Sequence, residues 1–191
     1  TRKGVVIFLE DVIDKTVETV EKIIEEKNPH LKKKKHVAEQ IALGAIVFWD
    51  LSHDRIRDMS FSWEKVLDFN GETGPYVQYT YARASSILRK CKGKGKANYA
   101  KLNHEAEKEL IKELSLYNEY IEKAAQQYKP SILAKYLINL CQRFNNFYEK
   151  CPCIMEEDNS LKYARIQVVK KTRDILNEGL SLLGIQAPEE M

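Results

Sequence analysis

Apolar residues recur at three- and four-residue intervals along almost the whole chain, which predicts helices with few interruptions. Val12 or Ile13, Val17, Val20 and Ile24 form a first stripe, opened by Glu10 and Asp11 and closed at Asn28-Pro29. Acids in a first turn complement the helix dipole, and proline cannot continue the ladder. Val37, Ile41, Ala45 and Phe48, with Ala38, Ala42 and Trp49, are apolar almost all round, the pattern of a buried helix. Gly44 in its middle costs about 1 kcal/mol relative to alanine, so it marks a close helix contact. Trp63, Val66, Leu67 and Phe69 predict a short amphipathic turn that pins the loop after it. Asn70-Gly71 and Gly74-Pro75 are turn dipeptides, and Thr73 before Pro75 suits a cap followed by the first helical position. A helix over 75–91 follows, with Val77, Tyr81, Ala84, Leu88 and Cys91 inward. Ala106, Leu110, Leu114 and Tyr117, then Tyr120, Ile121, Ala124, Ala125 and Tyr128 after a bend, continue the pattern to Pro130. Leu133, Leu137, Leu140, Cys141, Phe144 and Tyr148 make a long stripe ending at Pro152. Asp158-Asn159-Ser160 caps a last helix over 161–183, with Ala164, Val168, Ile175, Leu176 and Leu180 inside and Gly184 stopping it. Residues 1–9 read as a loop feeding a short β-branched strand. The sum is an all-α bundle of six or seven helices with room for one strand, without internal repeats.

Composition narrows the function. The chain has 191 residues, enough for one full domain and a piece of a second, and it begins with Thr, which points to a fragment. Charged residues make up 31% of it, yet the net charge is only +3. That balance excludes a strongly cationic nucleic-acid coat, so RNA contact requires a local patch. No apolar run approaches a membrane span, and no secretory leader is expected. Cys91, Cys141, Cys151 and Cys153 lack framework spacing, and Cys151-Pro-Cys153 is too close for an ordinary zinc pair, so free thiols in a reducing compartment are expected. Lys32 to Lys35 conflict with a helix start and are read as solvated surface; His36 receives no chemistry. His53-Asp54 invites a catalytic reading, but no activated serine or cysteine accompanies it; with Asp50, Arg55, Arg57 and Asp58 it reads as salt bridging. The Lys-Gly alternation over 92–96 is a flexible surface loop.

The helix after Pro75 carries a second face. Tyr76, Tyr79, Arg83, Ser86 and Lys90 share it, roughly 140° from the apolar stripe at about 100° per residue. Phenols stack on unpaired bases and guanidinium pairs with phosphate. The bland alternative is tyrosines packed at a helix edge beside solvated cations.

The string Thr73-Gly-Pro-Tyr-Val-Gln-Tyr-Thr-Tyr-Ala-Arg83 resembles the motif that opens the anticodon-binding domain of arginyl-tRNA synthetases. Gly44 to Ser52, Arg55 and Phe61 to Leu67 resemble the preceding segment of that family. Phe144-Asn-Asn-Phe-Tyr148 and Leu182 to Met191 resemble its closing helices and C-terminus. The resemblance covers essentially the whole chain.

It implies the anticodon-binding helix bundle of class I aminoacyl-tRNA synthetases over 67–191, after a remnant of the catalytic α/β domain and connecting helices over 1–66. It further implies the C-terminal part of an arginine–tRNA ligase, cytoplasmic, which grips the anticodon arm of arginine tRNA while the full enzyme joins arginine to it using ATP and Mg2+. This piece alone would have no catalytic residues, hold no cofactor or metal, and meet neither DNA nor membrane; its other partner would be the rest of the same polypeptide. Tyr76, Tyr79 and Arg83 resemble the family's anticodon-loop contacts. Tyr148 and Met191 correspond to residues that pocket the middle anticodon base, a cytosine. The loop 69–74 would press on the stem-loop, with Asn70 and Lys90 toward the RNA backbone, and Lys3 would lie at the tail of the ATP-loop motif. Trp49 and Val47 depart from the family pattern. The alternatives are the corresponding domain of another class I synthetase, such as the cysteinyl or methionyl enzyme, and a non-enzymatic helical module that binds protein.

Overall fold

The first stripe becomes helix α1 (Leu9–Lys27), with Glu10 and Asp11 in its first turn and Asn28 closing it by an N–H bond to Ile24 O. A computed structural model of the chain describes residues 8–54, 62–69, 71–91 and 95–191. The predicted strand falls mostly on residues 1–7, outside the described residues; Leu9, its last member, is already helical.

Helix α2 (Lys34–Ser52) starts at the lysine run, and Lys33 before it adopts a left-handed conformation at φ 56°. The conflict with the helix dipole is met across the turn, where the Lys34 ammonium pairs with Glu25 of α1. Lys32, Lys33 and Lys35 remain exposed. Val20, Ile24, Leu31, Val37, Ile41, Ala45, Val66 and Leu67 make one core between α1, α2 and the short α3 (Trp63–Val66). Asp54 forms a 3.0 Å ion pair with Lys129, and His53 Nδ1 lies 2.6 Å from Trp49 O, so this pair serves structural contacts. Arg55, Arg57 and Asp58 lie outside the described residues.

Helix α4 (Gly74–Lys90) is capped by Thr73, whose hydroxyl accepts the Tyr76 N–H and donates to Asp68 O. Its inward side differs from the expected stripe. Val77, Tyr81, Ala84 and Ile87 are buried, together with Gln78, Thr80 and Ser85, while Leu88 and Cys91 are half-buried. The reason is that α4 packs against three helices, α2 and two described below, so more than one stripe is covered. The close contact expected at Gly44 is with this helix. A Cβ on Gly44 would fall 2.5 Å from Gln78 Nε2, and one on Gly74 would fall 2.4 Å from Gly44 O.

The predicted bend near Tyr117 separates α5 (Glu105–Ser115) from α6 (Tyr117–Gln126), and Leu116 caps both. Pro130 opens α7 (Pro130–Lys150), and Asp158 caps α8 (Asn159–Leu182) by accepting the N–H groups of Ser160 and Leu161 at 2.9 and 3.3 Å. At the end of α8, Gly184 takes φ 74°; its N–H bonds Ser181 O and that of Ile185 bonds Leu180 O, both at 2.9 Å. These two bonds satisfy carbonyls that a helix end otherwise strands. Tyr148, expected on the inward stripe of α7, is 44% exposed; Phe147 is buried instead. Phe147 and Tyr148 stand three and four residues after Phe144, about 60° and 40° to either side of it, so periodicity admits either, and tertiary packing covers Phe147.

The larger core joins α4, α5, α7 and α8 around Leu110, Tyr136, Leu137, Leu140, Phe144, Phe147, Ile175, Leu176 and Leu180, and Phe48 of α2 enters it. Eight α-helices and no strand are present among the described residues. The number exceeds six or seven because α3 and the split pair α5/α6 count separately. None of the described helices is long and apolar enough to cross a membrane. One buried ion network staples the bundle to the loop before α8: Arg165 binds Glu107 at 2.7 Å, Glu156 at 2.6 Å and Pro152 O at 2.8 Å.

Candidate nucleic-acid interface

The second face of α4 opens onto a cleft of about 460 Å³. Tyr79, Arg83, Ser86, Arg89 and Lys90 form its floor, Tyr148 comes from α7, and Ile154 from the loop after it. The far wall is Asn28 together with the chain end, Glu189 to Met191. Tyr79, Arg83, Lys90, Tyr148 and Met191, which the sequence singles out, therefore meet around one hollow although up to 112 positions separate them.

Arg83 is fixed in this cleft. Its Nη1 donates to Asn145 Oδ1 at 2.7 Å and its Nη2 to Tyr79 OH at 3.1 Å. The guanidinium carbon lies 4.8 Å from the Tyr79 ring centroid and 5.5 Å from that of Tyr148. Both contacts fall within cation–π range. Tyr148 in turn stacks on Phe144, with centroids 6.5 Å apart and planes 18° apart.

Tyr76 does not line the cleft. It is half-buried against the main core, and its hydroxyl accepts the Asn145 amide N–H at 2.9 Å. Burial pushes its phenol pKa above the ordinary 10.0, with the Asn145 bond opposing that rise. Asn145 thus spends its amide on both sides, donating to Tyr76 and accepting from Arg83. Asn70 and Lys3 lie outside the described residues.

Met191 is half-buried. Its side chain meets the first core, and its backbone carbonyl accepts from Asn28 Nδ2 at 3.1 Å. Arg89 reaches the same tail, donating to Glu189 O at 3.1 Å and pairing with Glu190 at 3.2 Å. The cleft therefore carries both signs of charge, with Arg83, Arg89 and Lys90 facing Glu189 and Glu190. Exposed rings supply faces for bases, and a few cations supply phosphate partners.

Asn28, Arg89, Asn145, Ile154, Glu189 and Glu190 were not among the residues picked out by sequence. Asn145 sits inside the quoted Phe144–Tyr148 string, Glu189 and Glu190 inside the Leu182–Met191 string, and Arg89 next to Lys90, so a signal existed for those four. Asn28 and Ile154 reach the cleft only through tertiary packing.

Burial pushes the Cys141 and Cys153 thiols up to about 12 and raises that of Cys151, the opposite of an activated nucleophile. All four cysteines are free. Among the described residues no group of three His, Cys, Asp or Glu side chains is placed to hold a metal ion.

Known proteins resemble this chain over its whole length. The profile of the DALR anticodon binding domain matches residues 77–191, and that of the catalytic domain of class I (R) tRNA synthetases matches residues 1–63. An arginine–tRNA ligase of Alkaliphilus metalliredigens is 47% identical over 193 residues, covering 100% of this chain and 34% of that protein. One from Clostridium botulinum (strain Okra) is 45% identical, again over 100% of this chain and 34% of the relative. Among solved structures, the arginyl-tRNA synthetase of Thermus thermophilus superposes with a TM-score of 0.93 at 33% identity, covering 97% of this chain and 32% of that one. That of Plasmodium falciparum gives 0.83 at 23% identity over 97% of this chain and 34% of that one, a likeness of fold. The chain spans about a third of the length of the relatives it matches.

Proposed function

Since the chain belongs to the family of DALR anticodon-binding domains, we propose that its cleft grips the anticodon arm of a tRNA and reads the middle anticodon base, a cytosine. The observation that supports this most is the convergence of Tyr79, Arg83, Tyr148 and Met191 on one hollow. Tyr148 and Met191 flank the base, a phenol and a thioether that contact its flat face without demanding a charge, while backbone groups read its edge. Arg83 and Lys90 meet phosphates, and Asn70 contributes from the loop before α4. Tyr76 acts at one remove, holding Asn145 against Arg83.

The whole protein is, on this reading, an arginine–tRNA ligase that acts in the cytoplasm, and its tRNA is the arginine-specific one. ATP and Mg2+ belong to the catalytic part of that longer protein. Lys3 belongs, on this reading, to the tail of the ATP-loop motif; it lies outside the described residues, and no step of the nucleotide chemistry is assigned to this chain. We place the boundary between the two parts at 66/67, with the remnant of the catalytic domain and connecting helices before it and the bundle from 67 onward.

Filter binding of an anticodon hairpin at several salt concentrations, with the middle base changed, tests the proposal. Binding should weaken with salt and should fall when the cytosine is replaced. Indifference to that base would refute base reading, and absence of binding would leave a protein-interaction module.

A further inference from the structure

The last residues of the chain form a wall of the cleft, yet they have no helix to hold them. Gln78 supplies their buried hydrogen bond. Its side chain is fully buried, and its amide nitrogen donates to two backbone carbonyls far away in sequence, Gln40 O on α2 at 3.0 Å and Gln186 O in the tail at 2.7 Å. Its own Oε1 has no partner. A buried acceptor left unpaired is a cost, and a buried glutamine that bears it is held for its two donations. The space is matched to the amide, because Gly44 faces it and any Cβ there would clash. Gln186 is gripped twice, since Gln40 Nε2 also donates to its Oε1 at 2.9 Å. The tail's other hydrogen bonds and ion pairs, from Arg89 to Glu189 O and Glu190 and from Asn28 to Met191 O, lie at or near the surface, and apolar packing of Ile185, Ala187, Pro188 and Met191 adds to them without fixing direction. Hydrogen bonds and ion pairs in contact with water hold weakly.

We propose that Gln78 is a positioning residue that clips the C-terminal tail between α2 and α4, and so sets where Met191 stands in the cleft. Its consequence for RNA rests on the anticodon reading above; the clip itself does not. Gln78 touches no ligand. It acts through the tail, so its loss should change base discrimination and leave phosphate attraction alone.

The test uses Gln78→Met, which keeps the length and removes both donors. Carboxypeptidase should release Met191 from this variant about tenfold faster than from the wild-type chain, the effect of losing about one net hydrogen bond. The preference for a hairpin with the middle cytosine should drop by a similar factor, with the slope of binding against salt unchanged. Release at the wild-type rate would overturn the clip, as would lost affinity through a flatter salt slope with discrimination intact. A wild-type chain that ignores the middle base would refute the anticodon reading alone, because tail release is read without RNA. Hydrogen exchange in the unaltered protein decides the matter should the variant fail to fold. The side-chain amide protons of Gln78 should exchange slowly, and exchange as fast as that of a surface glutamine would overturn the proposal.

Discussion

Arg83→Lys separates the shape of the guanidinium from its charge. In the structure Arg83 uses two nitrogens at once, one on Asn145 at 2.7 Å and one on Tyr79 OH at 3.1 Å, while its plane sits near two rings. Lysine keeps the cation but has no planar fork, so it cannot hold both partners and offer a phosphate a defined face. Losing one charge-assisted hydrogen bond costs about 1.5–3 kcal/mol, which is about ten- to a hundredfold in affinity. The salt slope should stay the same, because the charge remains. Arg83→Met should lose the affinity and also flatten the slope by about 0.7–0.9, the contribution of one phosphate contact. Fluorescence anisotropy of a labelled anticodon hairpin across a salt series measures both quantities. Thermal unfolding alongside should show a modest loss in either variant, since each partly exposed cation–π contact is worth about 0.5–1 kcal/mol. Wild-type affinity in Arg83→Lys, or an unchanged slope in Arg83→Met, would refute the role given to this side chain.

Three further outcomes are expected. Glu190→Gln frees Arg89 from its 3.2 Å pair, so hairpin affinity should rise and the salt slope steepen in the same titration. Arg165→Met leaves the Glu107 carboxylate buried without its partner, so urea unfolding should show a loss of about 3–5 kcal/mol. Alkaline stability follows from the thiols. Folded Cys141 keeps its proton up to about 12 while the unfolded thiol releases it near 9.0, so the unfolded state binds fewer protons as pH rises. Stability is therefore fully present below about 9 and should decline between there and 12 in denaturant titrations, less steeply in Cys141→Ala than in the wild-type chain.

Much of the fold was legible because turn chemistry and helical periodicity agree. Thr73 and Pro75, Pro130, Asp158 and Gly184 each mark a helix boundary close to where the sequence puts it. Periodicity failed where a helix is surrounded or where two adjacent aromatics compete. It could not show that α4 is covered on several sides, nor that Phe147 rather than Tyr148 turns inward. Exposing Tyr148 is what leaves a ring available to the cleft. The face carrying Tyr79, Arg83 and Lys90 was visible as a helical spacing, but its other wall was not. Asn28 and Glu190 stand at opposite ends of the chain, and only the packing of the tail against α1 and α4 brings them together. Gln78 lies in the most telling string of the sequence, yet its value depends on two distant carbonyls that no local pattern reveals.

The most direct test places a photoreactive base in the cleft. An anticodon hairpin with 5-iodocytosine at the middle position, irradiated on the protein and mapped by mass spectrometry, should crosslink to Tyr148, Tyr79 or the terminal peptide that ends in Met191. Crosslinks confined to a different surface, such as the hollow lined by Trp49, His53 and Lys65, would contradict the assignment of the cleft as the place where the anticodon is read.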